Sequence, residues 1–142
     1  ADGRGVAAAL TLGASGVWLG TRFVASEEAY AHALYKQKIL GATETDTVYS
    51  TLFDRGWENA PHRTLRNSTV EMWEEAGRPI TNRPGEGETI AHHSNGQDIE
   101  RYEDTLPLPG MTGDVEKLAL YAGQSSGLIK SIKPAGDIVR EL

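Results

Sequence analysis

Apolar residues along this chain fall in short runs, separated by glycine, proline and polar clusters. Residues 5–12 (GVAAALTL) are small and apolar, follow Asp2 as an N-cap and stop at Gly13, which predicts a helix pressed closely on a neighbour. Residues 16–20 (GVWLG) are apolar on both faces, as a buried parallel strand is, although so short a run does not by itself exclude buried helix. Helix, loop and strand together read as the second half of a βαβ unit, with the first strand expected before residue 1. Residues 26–41 predict a helix opened by Ser26, with Glu27 and Glu28 in its first turn and Gly41 at its end.

The middle of the chain changes period. Residues 45–53 (TDTVYSTLF) alternate and favour a strand, and residues 55–67 read as loop. Ser68 and Glu71 form an S-x-x-E capping box for a helix ending near Gly77. Residues 78–88 read as a linker. Residues 89–102 predict a hairpin turning at Asn95-Gly96 with a type I′ turn. Further on, Thr112 or Asp114 caps an expected helix over 113–132, whose stripe is Val115, Leu118, Tyr121 and Leu128-Ile129. Pro134 opens a last helix.

Composition narrows the classes. The chain has 142 residues, 39% apolar, which suits a single modest core. Its net charge of −6 argues against a nucleic-acid surface, and no run is long enough to span a membrane, so a soluble cytoplasmic protein is expected. With no cysteine, disulfides and thiolate chemistry are excluded.

Candidate chemistry centres on Gly20-Thr21. At the carboxyl end of an α/β strand these residues sit where such folds place ligands. Glycine admits close backbone approach, Thr21 adds a hydroxyl and Arg22 a nearby cation, so a phosphate is the natural guest; a plain tight turn is the other reading. Of the histidines, His32 reads as a partly exposed helix residue and His62 as a loop residue after Pro61. Neighbouring His92 and His93 would point to opposite faces of a strand, so no metal is expected there. Asn67-Ser68-Thr69 matches a glycosylation sequon by chance. Gly85-Glu86-Gly87 lacks the strand and helix of a dinucleotide fingerprint.

ADGRGVAAALTLGASGVWLGTRF (residues 1–23), continued by 25–40, 51–73 and GMTGDVEKLALYAGQSSGLI (110–129), resembles the C-terminal portion of the nitronate monooxygenase (2-nitropropane dioxygenase-like) family. The resemblance implies an α/β chain: the last part of an FMN-binding TIM barrel with an inserted, covering α+β subdomain. It implies a βα portion with phosphate loop at 1–42, a covering subdomain at 43–112 and C-terminal helices at 113–142. FMN is the implied cofactor, with its phosphate held at Trp18, Leu19, Gly20 and Thr21, and with Gln124 and Ser125 facing the flavin region. Trp18 stands where many relatives carry Gln, so a backbone contact is implied there. The catalytic histidine is implied upstream, so no catalytic residue is expected in this chain. The implied partners are a nitronate substrate, oxygen and an upstream barrel segment, without which the chain is expected to be inactive. A related FMN barrel reductase, of the enoyl-acyl-carrier-protein type, and a non-catalytic fragment remain the alternatives.

Overall fold

Asp2 opens the first element as its sequence suggests. In the computed structural model, which describes residues 2–142, its carboxylate accepts the Gly5 N–H at 3.0 Å and caps helix α1 (Gly3–Thr11). Two features depart from expectation. No residue of α1 is buried, and residues 16–20 form no strand: they pair with nothing among the described residues, leaving Val17 at 43% and Trp18 at 97% exposure. A strand exists only through its ladder partners, and this segment has none here.

Gly20 leads directly into a single helical turn, α2 (Thr21–Val24). The expected helix capped by Ser26 starts six residues late, as α3 (Ala33–Gly41), with His32 as its cap. The delay has a clear cause. The Ser26 hydroxyl donates to Phe23 O, the Glu27 N–H donates to Lys133 O, and buried Lys36 donates its ammonium to Ser26 O at 2.6 Å and Glu27 O at 3.1 Å. Those bonds hold Ser26 in a parallel bridge to Lys133 and tie Glu27 to the same segment. Glu28 is drawn to another element, accepting the Ala135 N–H at the start of α5 (Ala135–Glu141), which follows Pro134.

Strands β1 (Thr47–Ser50) and β2 (His62–Leu65) pair antiparallel, Val48 opposite Thr64 and Tyr49 opposite Arg63. The second lies inside the segment read as loop. Helix α4 (Ser68–Glu75) is capped one residue earlier than the capping box suggests. Asn67 accepts the Val70 N–H at 3.0 Å, while the Ser68 hydroxyl donates to Glu116 at 2.7 Å. Asn67 is 2% exposed, which explains why its sequon has no accessible acceptor.

The hairpin is present. β3 (Thr89–His92) pairs with β4 (Asp98–Glu100) and, on its other edge, with β5 (Thr112–Gly113). The turn differs from type I′, which needs positive φ at both central residues. Here Gly96 alone has one (φ 86), the Gly96 N–H donates to His93 O and the His93 N–H to Gln97 O, giving a three-residue loop. A three-residue loop needs only the one left-handed residue that glycine supplies without strain.

The long helix expected over 113–132 is absent. Short 3₁₀ turns at Val115–Lys117 and Gln124–Leu128 flank an extended run, 118–122. That run lies against β2, with the Leu65 N–H donating to Leu120 O at 2.8 Å and the Ala122 N–H to Arg63 O at 3.0 Å. Its residues feed three apolar clusters: Leu120 and Ala122 join Tyr35, Ile39 and Ile129; Ala119 joins Phe53, Val70 and Tyr102; Leu118 joins Ile90, Ile99 and Met111. Burial on every side favours an extended run that reaches three neighbours over a helix that would present one stripe. The fold is therefore mixed α/β with two small antiparallel sheets, and no barrel closes among the described residues.

Candidate functional site

The Gly20-Thr21 turn is fastened from the far end of the chain. Thr21 Oγ1 accepts the Gly123 N–H at 3.0 Å, so the hydroxyl hydrogen remains available to another acceptor. Gly20 O accepts the Phe23 and Val24 N–H groups, which leaves the N–H groups at the start of the turn outside the helix's own bonding. Gly20 has φ −87, so close approach rather than a left-handed backbone is what glycine offers here. A Cβ built on it would meet nothing within 4 Å.

A cavity of about 370 Å³ opens beside this turn. Gly20, Thr21, Val24, Arg63, Tyr121 and Gly123 line it, and Tyr35, Leu106 and Ala122 complete a mostly apolar lining. Tyr121 is fixed at both ends. Its carbonyl accepts the Tyr35 hydroxyl, and its own hydroxyl donates to Asp104 O at 3.0 Å. Burial, and then the Asp104 charge, push the Tyr121 hydroxyl up to about 12, so it stays protonated across neutral pH. Burial likewise raises Tyr35, with Tyr121 adding to the effect.

The expected site residues divide. Gly20 and Thr21 line the cavity. Trp18 projects into solvent at 97% exposure and Leu19 is half-buried; neither lines the cavity. Gln124 is exposed and begins the turn directly after Gly123, one residue from the lining, and Ser125 beside it is exposed too. Arg22 is corrected. Its guanidinium is buried at 8% exposure and donates to Ala25 O and Ser131 O, so it is not a cation for a ligand at Gly20.

His62 is a strand residue and 6% exposed, not a loop residue. Its Nε2 accepts the Phe53 N–H at 3.3 Å, which places the ring proton on Nδ1, donating to Ala60 O at 2.9 Å. The Trp57 ring stacks on it and Tyr121 meets it edge-on. His32 is partly exposed as expected and uses Nδ1 to accept the Leu34 N–H. His92 pairs with Asp98 at 2.9 Å on an exposed face, and His93 lies past the end of β3. Arg63 and Tyr35 were not singled out by sequence, and Tyr121 only as part of an apolar helical stripe. Recognising the alternation His62-Arg63-Thr64-Leu65 as a strand would have turned Arg63 away from buried His62 and Thr64.

A Gly-Thr turn thus borders a cavity of about 370 Å³ in a mixed α/β segment. The nitronate monooxygenase family model matches residues 1–142, and the chain belongs to that family. It is 34% identical to the nitronate monooxygenase npaC of Metarhizium robertsii over 99% of this chain and 37% of that protein. It is also 34% identical to a Neurospora crassa nitronate monooxygenase, over 100% of this chain and 34% of that one. Among solved structures, FabK from Thermotoga maritima matches with a TM-score of 0.64 at 34% identity, covering 99% of this chain and 40% of FabK. The chain thus spans about a third of the length of the curated relatives it matches.

Proposed function

We propose that this chain is the C-terminal portion of an FMN-dependent enzyme that oxidises alkyl nitronates with oxygen to carbonyl compounds and nitrite. The observation that carries the reading is the placement of Gly20 and Thr21 on one ligand-sized cavity in a chain of this family. The donor set fits a flavin phosphate: backbone N–H groups at the turn, a threonine hydroxyl oriented by Gly123, and open space where a glycine Cβ would stand. FMN, when bound, supplies the electron transfer from the nitronate and the reaction with oxygen.

The chain's own residues bind and shape. Gly20 and Thr21 hold the phosphate, while Val24, Leu106 and Tyr121 give the cavity its apolar lining. Gln124, which follows the lining residue Gly123 in the chain, is the further candidate contact to the flavin. None of His32, His62, His92 and His93 serves as the catalytic base, since His62 has both ring nitrogens committed to backbone and the others stand away from the cavity. Residues 1–42 form the phosphate-loop portion of the barrel, 43–112 the covering subdomain, and 113–142 the return to the barrel.

Gly20→Val tests the phosphate site in the full-length protein. The structure leaves room for the side chain, so stability should change by about 1 kcal/mol or less, while FMN affinity falls at least about tenfold. Unchanged flavin affinity removes Gly20 from the site. Oxygen uptake with ethyl nitronate, against NAD(P)H consumption with an enoyl thioester, separates the monooxygenase from the barrel reductase. Residues 1–142 alone are expected to bind FMN more weakly than the full-length protein and to show no nitronate-dependent oxygen uptake.

A further inference from the structure

Arginine pairing singles out one side chain on the cavity wall. The chain carries nine arginines, and seven of them reach a carboxylate among the described residues. Arg22 spends its guanidinium on two carbonyl oxygens. Arg63 does neither. Its Nη1 donates to Thr47 Oγ1 at 3.1 Å, and its guanidinium lies over the Tyr49 ring, 5.5 Å from the centroid. In a chain with an excess of acidic residues, a positioned arginine without a carboxylate is conspicuous.

Its surroundings say what it would take. Arg63 alternates along β2 with buried His62 and Thr64 and lines the same cavity as Gly20 and Thr21, and no acidic side chain is among that lining. Thr47 and Tyr49 fix the guanidinium and leave further N–H donors unused, since arginine carries five. The lining is otherwise apolar, so an anion there would meet the Arg63 cation with no carboxylate competing for it.

We propose that Arg63 is the anion-binding side chain of this cavity, donating to the oxygens of a bound oxyanion. The inference rests on the function proposed above, which supplies two oxyanions of the same chemistry: the phosphate of FMN and the nitronate itself. Thr47 is its positioning residue. A planar guanidinium suits the paired oxygens of either group better than a lysine ammonium does.

The test uses full-length protein with Arg63→Met, Arg63→Lys and Thr47→Val. Three quantities are read: the Kd for FMN from titration of the apoprotein, the KM for ethyl nitronate, and turnover of neutral nitroethane. Thermal melting checks folding. Arg63→Met should raise the Kd or the nitronate KM at least about tenfold. Arg63→Lys should keep part of the affinity, and Thr47→Val, which retains the charge, should lose only severalfold. A rise confined to the FMN Kd assigns the phosphate; a rise confined to the nitronate KM, with nitroethane unaffected, assigns the substrate. Unchanged constants in folded Arg63→Met overturn the proposal. If Arg63→Met does not fold, unchanged constants in Arg63→Lys and Thr47→Val do the same. Wild-type protein that binds FMN without oxidising nitronate would sink the proposed activity, while the flavin titration still decides Arg63.

Discussion

Asn67 shows how much one buried side chain can hold together. Its Oδ1 accepts the Val70 N–H and starts α4, while its Nδ2 donates to Glu116 O at 2.8 Å and Leu118 O at 2.9 Å. Helix start and extended run are thereby joined by one amide. Asn67→Ala should cost about 2–4 kcal/mol, the sum of a lost cap and carbonyls left without a donor. Asn67→Asp keeps the cap oxygen but turns a carboxylate toward two carbonyl oxygens, so it should be at least as destabilising as Ala at neutral pH. Urea unfolding of both variants checks this; an Asp variant near wild-type stability would show that the cap alone matters.

Among the elements, the β3–β4 hairpin and its β5 neighbour place two glycines under different demands. Gly96 has φ 86 with open space around a built Cβ, so Gly96→Ala pays only for a left-handed backbone, about 1 kcal/mol. Gly113 has φ 88, and its Cβ would lie 2.9 Å from Ile90 O and 3.0 Å from the Ala91 Cα. Gly113→Ala should therefore destabilise distinctly more, because rigid backbone on the facing strand must move. Chemical denaturation of the two single variants reads the difference, and equal losses would mean that the β3–β5 contact is looser than described. The hairpin was legible in sequence because alternation and Asn-Gly are local signals. Its turn type was not, since the loop length depends on which residues of the two strands pair.

At the scale of the whole molecule, paired carboxylates contribute to how stability depends on pH. Arg101 is buried at 1% exposure, donating to Glu88 and to Thr69 Oγ1, and its hydrogen bond to Glu88 holds that carboxyl below its ordinary value. Arg83 does the same for Glu86, and the Thr43 N–H for Asp46. Carboxyls depressed in the folded state stabilise it above their unfolded pKa values and lose that contribution as pH falls through the folded ones. Stability from these groups should be level from about pH 6 to 8 and decline below about pH 4.5. Glu88→Gln should flatten that decline, measured as unfolding free energy against pH. An unchanged slope would mean that the Glu88–Arg101 pair does not govern acid stability.

Local chemistry was readable from the sequence alone. Asp2 capping a small-residue helix, an Asn-Gly hairpin, a helix opening near Ser68 and a Gly-Thr turn at the end of an apolar run all depend on residues a few positions apart, and the family resemblance rests on the same runs. What the sequence could not order were segments whose form depends on distant partners. Residues 118–122 have helix-like spacing but lie extended because β2 and three apolar clusters meet there. Ser26 looks like a helix start but is bonded by Lys36 and bridged to Lys133. Arg22, beside the Gly-Thr turn in sequence, is turned inward, while Arg63, more than forty residues away, stands on the cavity. Propensity and capping act over one or two turns of chain. The choice between helix and strand for an apolar run, and the direction a cation faces, are made by burial and hydrogen bonds that only the assembled tertiary structure supplies.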